Sequence, residues 1–281
     1  MSLRAGLEII RPVNCAMIGF AVIVGEFVSK PATVSATQSA LGFLTGFFIC
    51  AYSMAINDIY DAEVDRVNQP GRPIPSGRMT PQTANRLSVL ALLAGMAFSV
   101  LTLSAAAVAV AAAYALLSWI YSHSAKKQGL AGNLIVASSL AIPFVYGGII
   151  SGGMILSSLL LLMALTAFLA GTGREVVKAM ADVQGDEKRG INSVARARGM
   201  KAAAATGAAF FLLAVVTSWV PLVAGLANLL YTYGVVVPDA IFVYLAASII
   251  RNRDPSNAHR VKGVALLGML AGLLVFVGGG L

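Results

Sequence analysis

The stretch Asn57-Asp58-Ile59-Tyr60-Asp61-Ala62-Glu63-Val64-Asp65 puts four acids into eight positions directly after a charge-free run, residues 31–57. A run of that length crosses a bilayer, which takes roughly 20 residues with few or no charges. The acids therefore stand where a transmembrane helix leaves the hydrocarbon. If the helix continues, Asn57, Asp61 and Asp65 follow at i, i+4 and i+8, with Asp58 three before Asp61, so these oxygens share one face. Like charges stacked in this way repel unless a cation binds between them. Hard oxygen ligands suit Mg²⁺, which usually takes one or two carboxylates plus substrate phosphates.

Outward from that run the same pattern repeats. Charge-free stretches cover residues 87–125, 128–173, 202–238 and 263–281, and 12–25 is a shorter one ended by Glu26. The longest hold two spans each, with turn chemistry at Lys30-Pro31, Ser104, Ser151-Gly152-Gly153 and Trp219 to Pro221. The spacing predicts pairs of helices over 12–57, 87–122, 133–172 and 202–250 and a last one over 263–280. That is an all-α polytopic membrane bundle of nine transmembrane helices forming one domain, 1–281. Composition agrees, with 58% hydrophobic and 11% charged residues in 281 against soluble norms of about 45–50% and ~25%. The alternating ten-residue segments of a membrane barrel are missing. Met1 to Val28, with Arg4 and Arg11, also has features of a signal peptide, but its apolar core leads straight into a second span.

Nineteen of the 20 Lys and Arg fall before helix 1 or in the loops after helices 2, 4, 6 and 8, and only Lys30 falls on the other face. The positive-inside rule then puts the N-terminus and these loops in the cytoplasm and the C-terminus outside. The basic balance is thus explained by topology and by anionic headgroups or substrates, and no nucleic-acid motif is visible. Cys15 and Cys50 lie inside predicted helices as small buried hydrophobes. His123 and His259 are too far apart in sequence to suggest a zinc site or a triad.

A second acidic cluster follows helix 6, with Glu175, Asp182, Asp186 and Glu187. Arg174, Lys178, Asp182 and Asp186 are spaced by four, giving one stripe of two cations and two carboxylates suited to a metal-bridged diphosphate. An ordinary solvated helix end with i,i+4 pairs is the bland alternative. The two clusters, each after the second helix of a four-helix group, suggest a degenerate duplication that brings two carboxylate sites together. Asp61 and Asp186 lie 125 residues apart, which leaves no local structural role for them to share. Facing carboxylates at a membrane surface suggest metal ions gripping a diphosphate.

These motifs resemble those of the UbiA superfamily of intramembrane prenyltransferases, which carries NDxxDxxxD after its second helix, here Asn57 to Asp65, and DxxxD after its sixth, here Asp182 to Asp186. The resemblance covers the whole chain. The surroundings (Arg11-Pro12-Val13-Asn14, Arg72 to Gly77, Gly129 to Ile135 and Gly173-Arg174-Glu175) look most like the archaeal members. Those members move geranylgeranyl from its diphosphate to the hydroxyl of geranylgeranylglyceryl phosphate in ether-lipid biosynthesis. An aromatic, quinone-precursor acceptor is the alternative within the superfamily. The family's YxxxK motif is altered, since Tyr121 lies five before Lys126 and His123 four before Lys127, so two pairings stay open.

The resemblance implies Mg²⁺ as cofactor and an active site at the cytoplasmic side. Asp61, Asp65, Asp182, Asp186 and Lys178 would be catalytic, and Asn57 and Asp58 would join the four aspartates as metal ligands. Asn57, Arg72, Lys126, Tyr121, Arg174, Arg11 and Asn14 would hold the diphosphate or the acceptor phosphate. The implied partners are a polyprenyl diphosphate, a lipid-like acceptor and the bilayer, with no obligate protein partner. Tyr60, Tyr52 and Phe48 are candidates by position for an electron-rich wall around an allylic cation, and the Pro70 to Gly77 loop for a cap over the site. Asp239, after Pro238, either lies at mid-depth as a functional carboxylate or is lifted toward the outer surface by a break. CDP-alcohol phosphotransferases are disfavoured by the missing DGxxAR lead-in. Transporters generally bind their ions near the midplane, whereas these acids sit at loop-side ends.

Overall fold

A computed structural model describes residues 3–29, 35–152, 157–188 and 190–280. It is helical throughout, with α1 Leu3–Ile10, α2 Pro12–Ser29, α3 Ala36–Asn68, α4 Pro81–Leu101, α5 Ala105–His123 and α6 Leu130–Ile150. There follow α7 Ser158–Ala181, α8 Val183–Lys188, α9 Val194–Val223, α10 Leu229–Gly234, α11 Val236–Arg251 and α12 Pro255–Gly280. Among the described residues nine helical spans are long and apolar enough to cross a bilayer, with α10 and α11 together making the eighth.

The helix starts are set by capping. Ser35, Thr80, Ser104 and Ser157 each accept a hydrogen bond from the backbone N–H three residues on, which satisfies one of the four orphan donors at a helix start. The first span holds, since α2 runs from Pro12 to Ser29 and buries the Glu26 carboxylate against Ser39 of α3, whose hydroxyl donates at 2.6 Å. Other expected boundaries move. Pro221 sits in the last turn of α9 and the turn comes after Val223, with the Pro221 carbonyl accepting from the Leu226 N–H at 2.8 Å. The ninth span starts at Pro255, eight residues early, because proline is favoured at the first helical position. The turn at Lys30-Pro31 and the residue Gly153 lie outside the described residues, as does Lys30, the one basic residue assigned to the opposite face.

Within lipid, apolar side chains gain little by leaving one helix for another, so packing relies on small residues that let backbones approach. A Cβ on Gly147 of α6 would lie 2.1 Å from the Val22 carbonyl of α2. This contact seats α6 on α2. The chain's second and sixth spans, α3 and α7, each pack chiefly against three other spans. The first packs against α2, α4 and α5, and the second against α6, α9 and α12. The larger core joins α7, α9, α11 and α12 through Val177, Met180, Phe211, Leu245 and Ile249. A second joins α2 to α5 through Cys15, Ile49, Tyr52 and Tyr114.

Candidate active site

The first acidic motif lies inside α3, which runs on past the span to Asn68. Asp58, Asp61 and Asp65 are all buried, whereas Glu63, on the opposite face, is exposed. Each buried carboxylate has its own cation from another segment. Lys126 bonds Asp61, Arg72 bonds Asp65 and also Asp58 at 3.1 Å, and Arg11 bonds Asp58. Breaking such buried pairs one-sidedly is costly, so these contacts hold the surrounding loops as well as the acids.

The second motif is not one continuous stripe. Helix α7 stops at Ala181, Asp182 caps it with a non-helical backbone (φ −101°, ψ 10°), and α8 starts afresh at Val183. Lys178 pairs with Glu175 at 3.0 Å, while Asp182 meets Lys262 of α12 at 3.5 Å. Asp186 is buried, and burial pushes its carboxyl up to about 6 against the opposing pull of Lys126. Asn68 donates from Nδ2 to the carbonyl of Asp182 at 3.2 Å, joining the two motifs directly.

Together the motifs line one polar cavity. Asn57, Asp61 and Asp65 line it from α3, and Asp182, Asp186 and Lys178 from the other side, with Arg72, Lys126 and Tyr121 between. Of the two pairings left open for the third motif, Tyr121 and Lys126 line this cavity. Helix α5 ends at His123 and a tight 3-10 turn, Ala125–Gln128, brings Lys126 inward. His123 and Lys127 are exposed.

Below this cavity lies an apolar one whose empty space, its mouth included, is about 1210 Å³. Tyr114, Phe144, Phe242 and Phe276 line it, and Glu175 lines both cavities. Asn14 and Arg174 border the apolar cavity and not the polar one. Arg174 is tied to Glu175 at 2.8 Å and to the Lys262 carbonyl at 3.2 Å. Asp58 and Arg11 face a separate, open cavity behind Arg72. Tyr60, Tyr52 and Phe48 border neither large cavity; Tyr60 packs on His123 and Phe48 on Phe98. The loop after the first motif is ordered, with Met79 N–H bonded to the Pro73 carbonyl at 2.9 Å and Arg78 reaching Glu8 at 2.6 Å.

Asp239 lies in the middle of the eighth helical span, Leu229–Arg251. The backbone runs on from α10 into α11, twelve residues above Arg251, and Asp239 is buried on the apolar cavity, accepting from the Ser218 hydroxyl.

The residues fit Mg²⁺. The donor set is hard oxygen, and Asn57 Oδ1 is buried without a hydrogen-bond partner. Among the described residues no three carboxylate, His or Cys groups gather closely enough to hold an ion unaided. Mg²⁺ itself usually takes one or two carboxylates, with substrate phosphates completing its shell. Sequence reasoning missed Asn68, Asn133, Ser193 and Lys262. Asn68 alone carried a signal, continuing the 57, 61, 65 face by three residues.

Facing acidic motifs above an apolar cavity, inside a nine-span bundle, define an intramembrane enzyme built around a lipid diphosphate. The chain belongs to the UbiA prenyltransferase family, which matches residues 18–275. The digeranylgeranylglyceryl phosphate synthase of Archaeoglobus fulgidus is 34% identical over 281 residues, covering 99% of this chain and 95% of that protein. A solved digeranylgeranylglyceryl phosphate synthase structure superposes with a TM-score of 0.75 at 30% identity, covering 99% of this chain and 98% of that one. A UbiA homologue from Archaeoglobus fulgidus bound to GPP and Mg²⁺ shares the fold, with a TM-score of 0.62 at 15% identity over 97% of this chain and 99% of that one.

Proposed function

We propose that this membrane prenyltransferase moves a geranylgeranyl group from its diphosphate to the free hydroxyl of geranylgeranylglyceryl phosphate, with Mg²⁺ as cofactor. One observation carries the reading: the two acidic motifs line a single polar cavity that meets a long apolar cavity at Glu175. A prenyl diphosphate has that division of polarity. Relatives of about one-third identity are named for this acceptor, and the Archaeoglobus homologue supports the pairing of a prenyl diphosphate with Mg²⁺.

Asn57, Asp61 and Asp65 on one side and Asp182 and Asp186 on the other would hold the metal. When bound, Mg²⁺ neutralises charge that gathers on the diphosphate as its bond to the prenyl carbon breaks. Arg72 offers a planar fork to a phosphate, and Lys126 and Lys178 offer point charges. Tyr121 offers a hydroxyl. The apolar cavity excludes water from the allylic cation, and its lining rings, Tyr114, Phe144, Phe242 and Phe276, present electron-rich faces. Arg11, behind Arg72, is placed for an acceptor phosphate, and Arg174 and Asn14 for the acceptor's passage beside the tail. By the positive-inside rule the active-site loops and the N-terminus face the cytoplasm and the C-terminus faces outside.

The experiment is product identification with detergent-purified protein, Mg²⁺ and labelled geranylgeranyl diphosphate, offered geranylgeranylglyceryl phosphate or an aromatic quinone precursor. Labelled lipid phosphate is expected. A prenylated ring alone would overturn the acceptor assignment.

A further inference from the structure

Three buried polar atoms on the wall of the polar cavity have no hydrogen-bond partner: Asn57 Oδ1, Asn133 Nδ2 and Ser193 Oγ. The first is an acceptor among metal ligands. The other two are donors, and neither belongs to an acidic motif. Leaving a buried donor unpaired is costly, so a fold that keeps two on one cavity wall is arranged for something that accepts from them.

Their positions agree. Ser193 is 2% exposed and stands at the helix-capping position before Val194, yet its side chain makes no capping bond. Asn133 lies in the first turn of α6, whose capping position is Gly129, which has no side chain to bond the orphan N–H groups. The two segments are held together by the Asn192 N–H bonded to the Lys127 carbonyl at 3.2 Å, and Gly129, Asn133 and Ser193 all line the polar cavity. One wall thus gathers a hydroxyl, an amide and the start of a 21-residue helix, which favours an anion.

We infer that Ser193 and Asn133, with the N-terminus of α6, form a metal-free donor wall that binds the diphosphate through neutral hydrogen bonds and steadies it as it leaves. This rests on the proposed function and adds a subsite to it. The carboxylate motifs and cations grip the charged group through ions, whereas this wall has no charge of its own. It therefore binds phosphate oxygens without competing for the metal, and its donors are fixed before the reaction starts.

The test is inhibition of prenyl transfer by inorganic diphosphate, read with thermal stability, for wild type, Ser193→Ala, Ser193→Thr, Asn133→Ala and Asp182→Asn. A hydrogen bond to a charged group predicts at least about a tenfold rise in the inhibition constant for Ser193→Ala and for Asn133→Ala. Ser193→Thr, which keeps the hydroxyl, is expected to restore most of it. Unchanged inhibition constants in both alanine variants overturn the inference, and so does lowered melting temperature with unchanged inhibition, which marks a structural role. Asp182→Asn separates the two levels. If it keeps wild-type turnover the functional reading fails, and if it alone is inactive only the donor wall fails.

Discussion

Asn68 Nδ2 lies 3.2 Å from the carbonyl oxygen of Asp182, a hydrogen bond across 114 residues that ties the end of the first acidic helix to the cap of the helix bearing the second. The distance between the two carboxylate sets is therefore held by a direct contact, and not only by the packing of α3 and α7 in the membrane.

Gly185 makes that contact possible, since a Cβ there would lie 2.2 Å from Asn68 Nδ2. Gly185→Ala is expected to push Asn68 away and lower turnover by roughly 10- to 100-fold, as small displacements of catalytic groups do. Asn68→Ala loses one bond worth about 1 kcal/mol. Steady-state assays beside melting curves check both, with turnover falling more than stability.

Asp61→Asn and Asp182→Asn each remove a carboxylate from opposite walls. Turnover is expected to drop by about 100- to 1,000-fold in each, the size seen when one transition-state contact is lost. Wild-type turnover in both variants would overturn the two-sided mechanism.

Arg72 bonds Asp58, Asp65 and, through Nε, Gln69 at 2.9 Å. Lysine has no planar fork for this arrangement. Arg72→Lys is expected to weaken prenyl diphosphate binding and to cost about 1–3 kcal/mol of stability by leaving one aspartate poorly paired. Substrate titrations and thermal melts measure the two effects.

Asp186 gives a pH dependence. Its carboxyl is raised by burial from the ordinary carboxylate value of 3.8 to about 6, so the metal-free fold binds its proton more tightly than the unfolded chain does. The associated stability is fully present below about pH 4 and is lost as pH rises through about 6. Asp186→Asn should therefore gain melting temperature relative to wild type in EDTA at pH 7.5 and gain little at pH 4. A constant difference across that range would contradict the assignment. Because Mg²⁺ takes the ionised form, more Mg²⁺ should be needed for activity below pH 6.

Asp239 accepts from Ser218 far from the acidic motifs, so Asp239→Asn is expected to keep both folded yield and specific activity. Asp239→Leu leaves the Ser218 hydroxyl only its bond to the Val215 carbonyl, removes the polar link between α9 and α11, and is expected to lower yield modestly. Loss of specific activity in the asparagine variant at normal yield would place Asp239 in the chemistry.

The spans were legible because charge is scarce and its gaps are bilayer-long, and Asn57, Asp61 and Asp65 because a four-residue spacing survives any bundle geometry. The stripe from Arg174 to Asp186 was legible in part: Lys178, Asp182 and Asp186 line the polar cavity, although periodicity cannot show the helix end at Ala181, while Arg174 borders the apolar cavity instead. The pairing of Tyr121 with Lys126 needed the 3-10 turn. Ser193 and Asn133 carry no pattern, since their meaning depends on segments joined only in three dimensions.

Lys262, which meets Asp182 and whose carbonyl receives Arg174, belongs to the last span. The first motif meets its cations, Arg11, Arg72 and Lys126, within the first half of the described chain, whereas Asp182 reaches across 80 residues to α12. Loosening α12 would thus be felt at one wall of the polar cavity and spare the other.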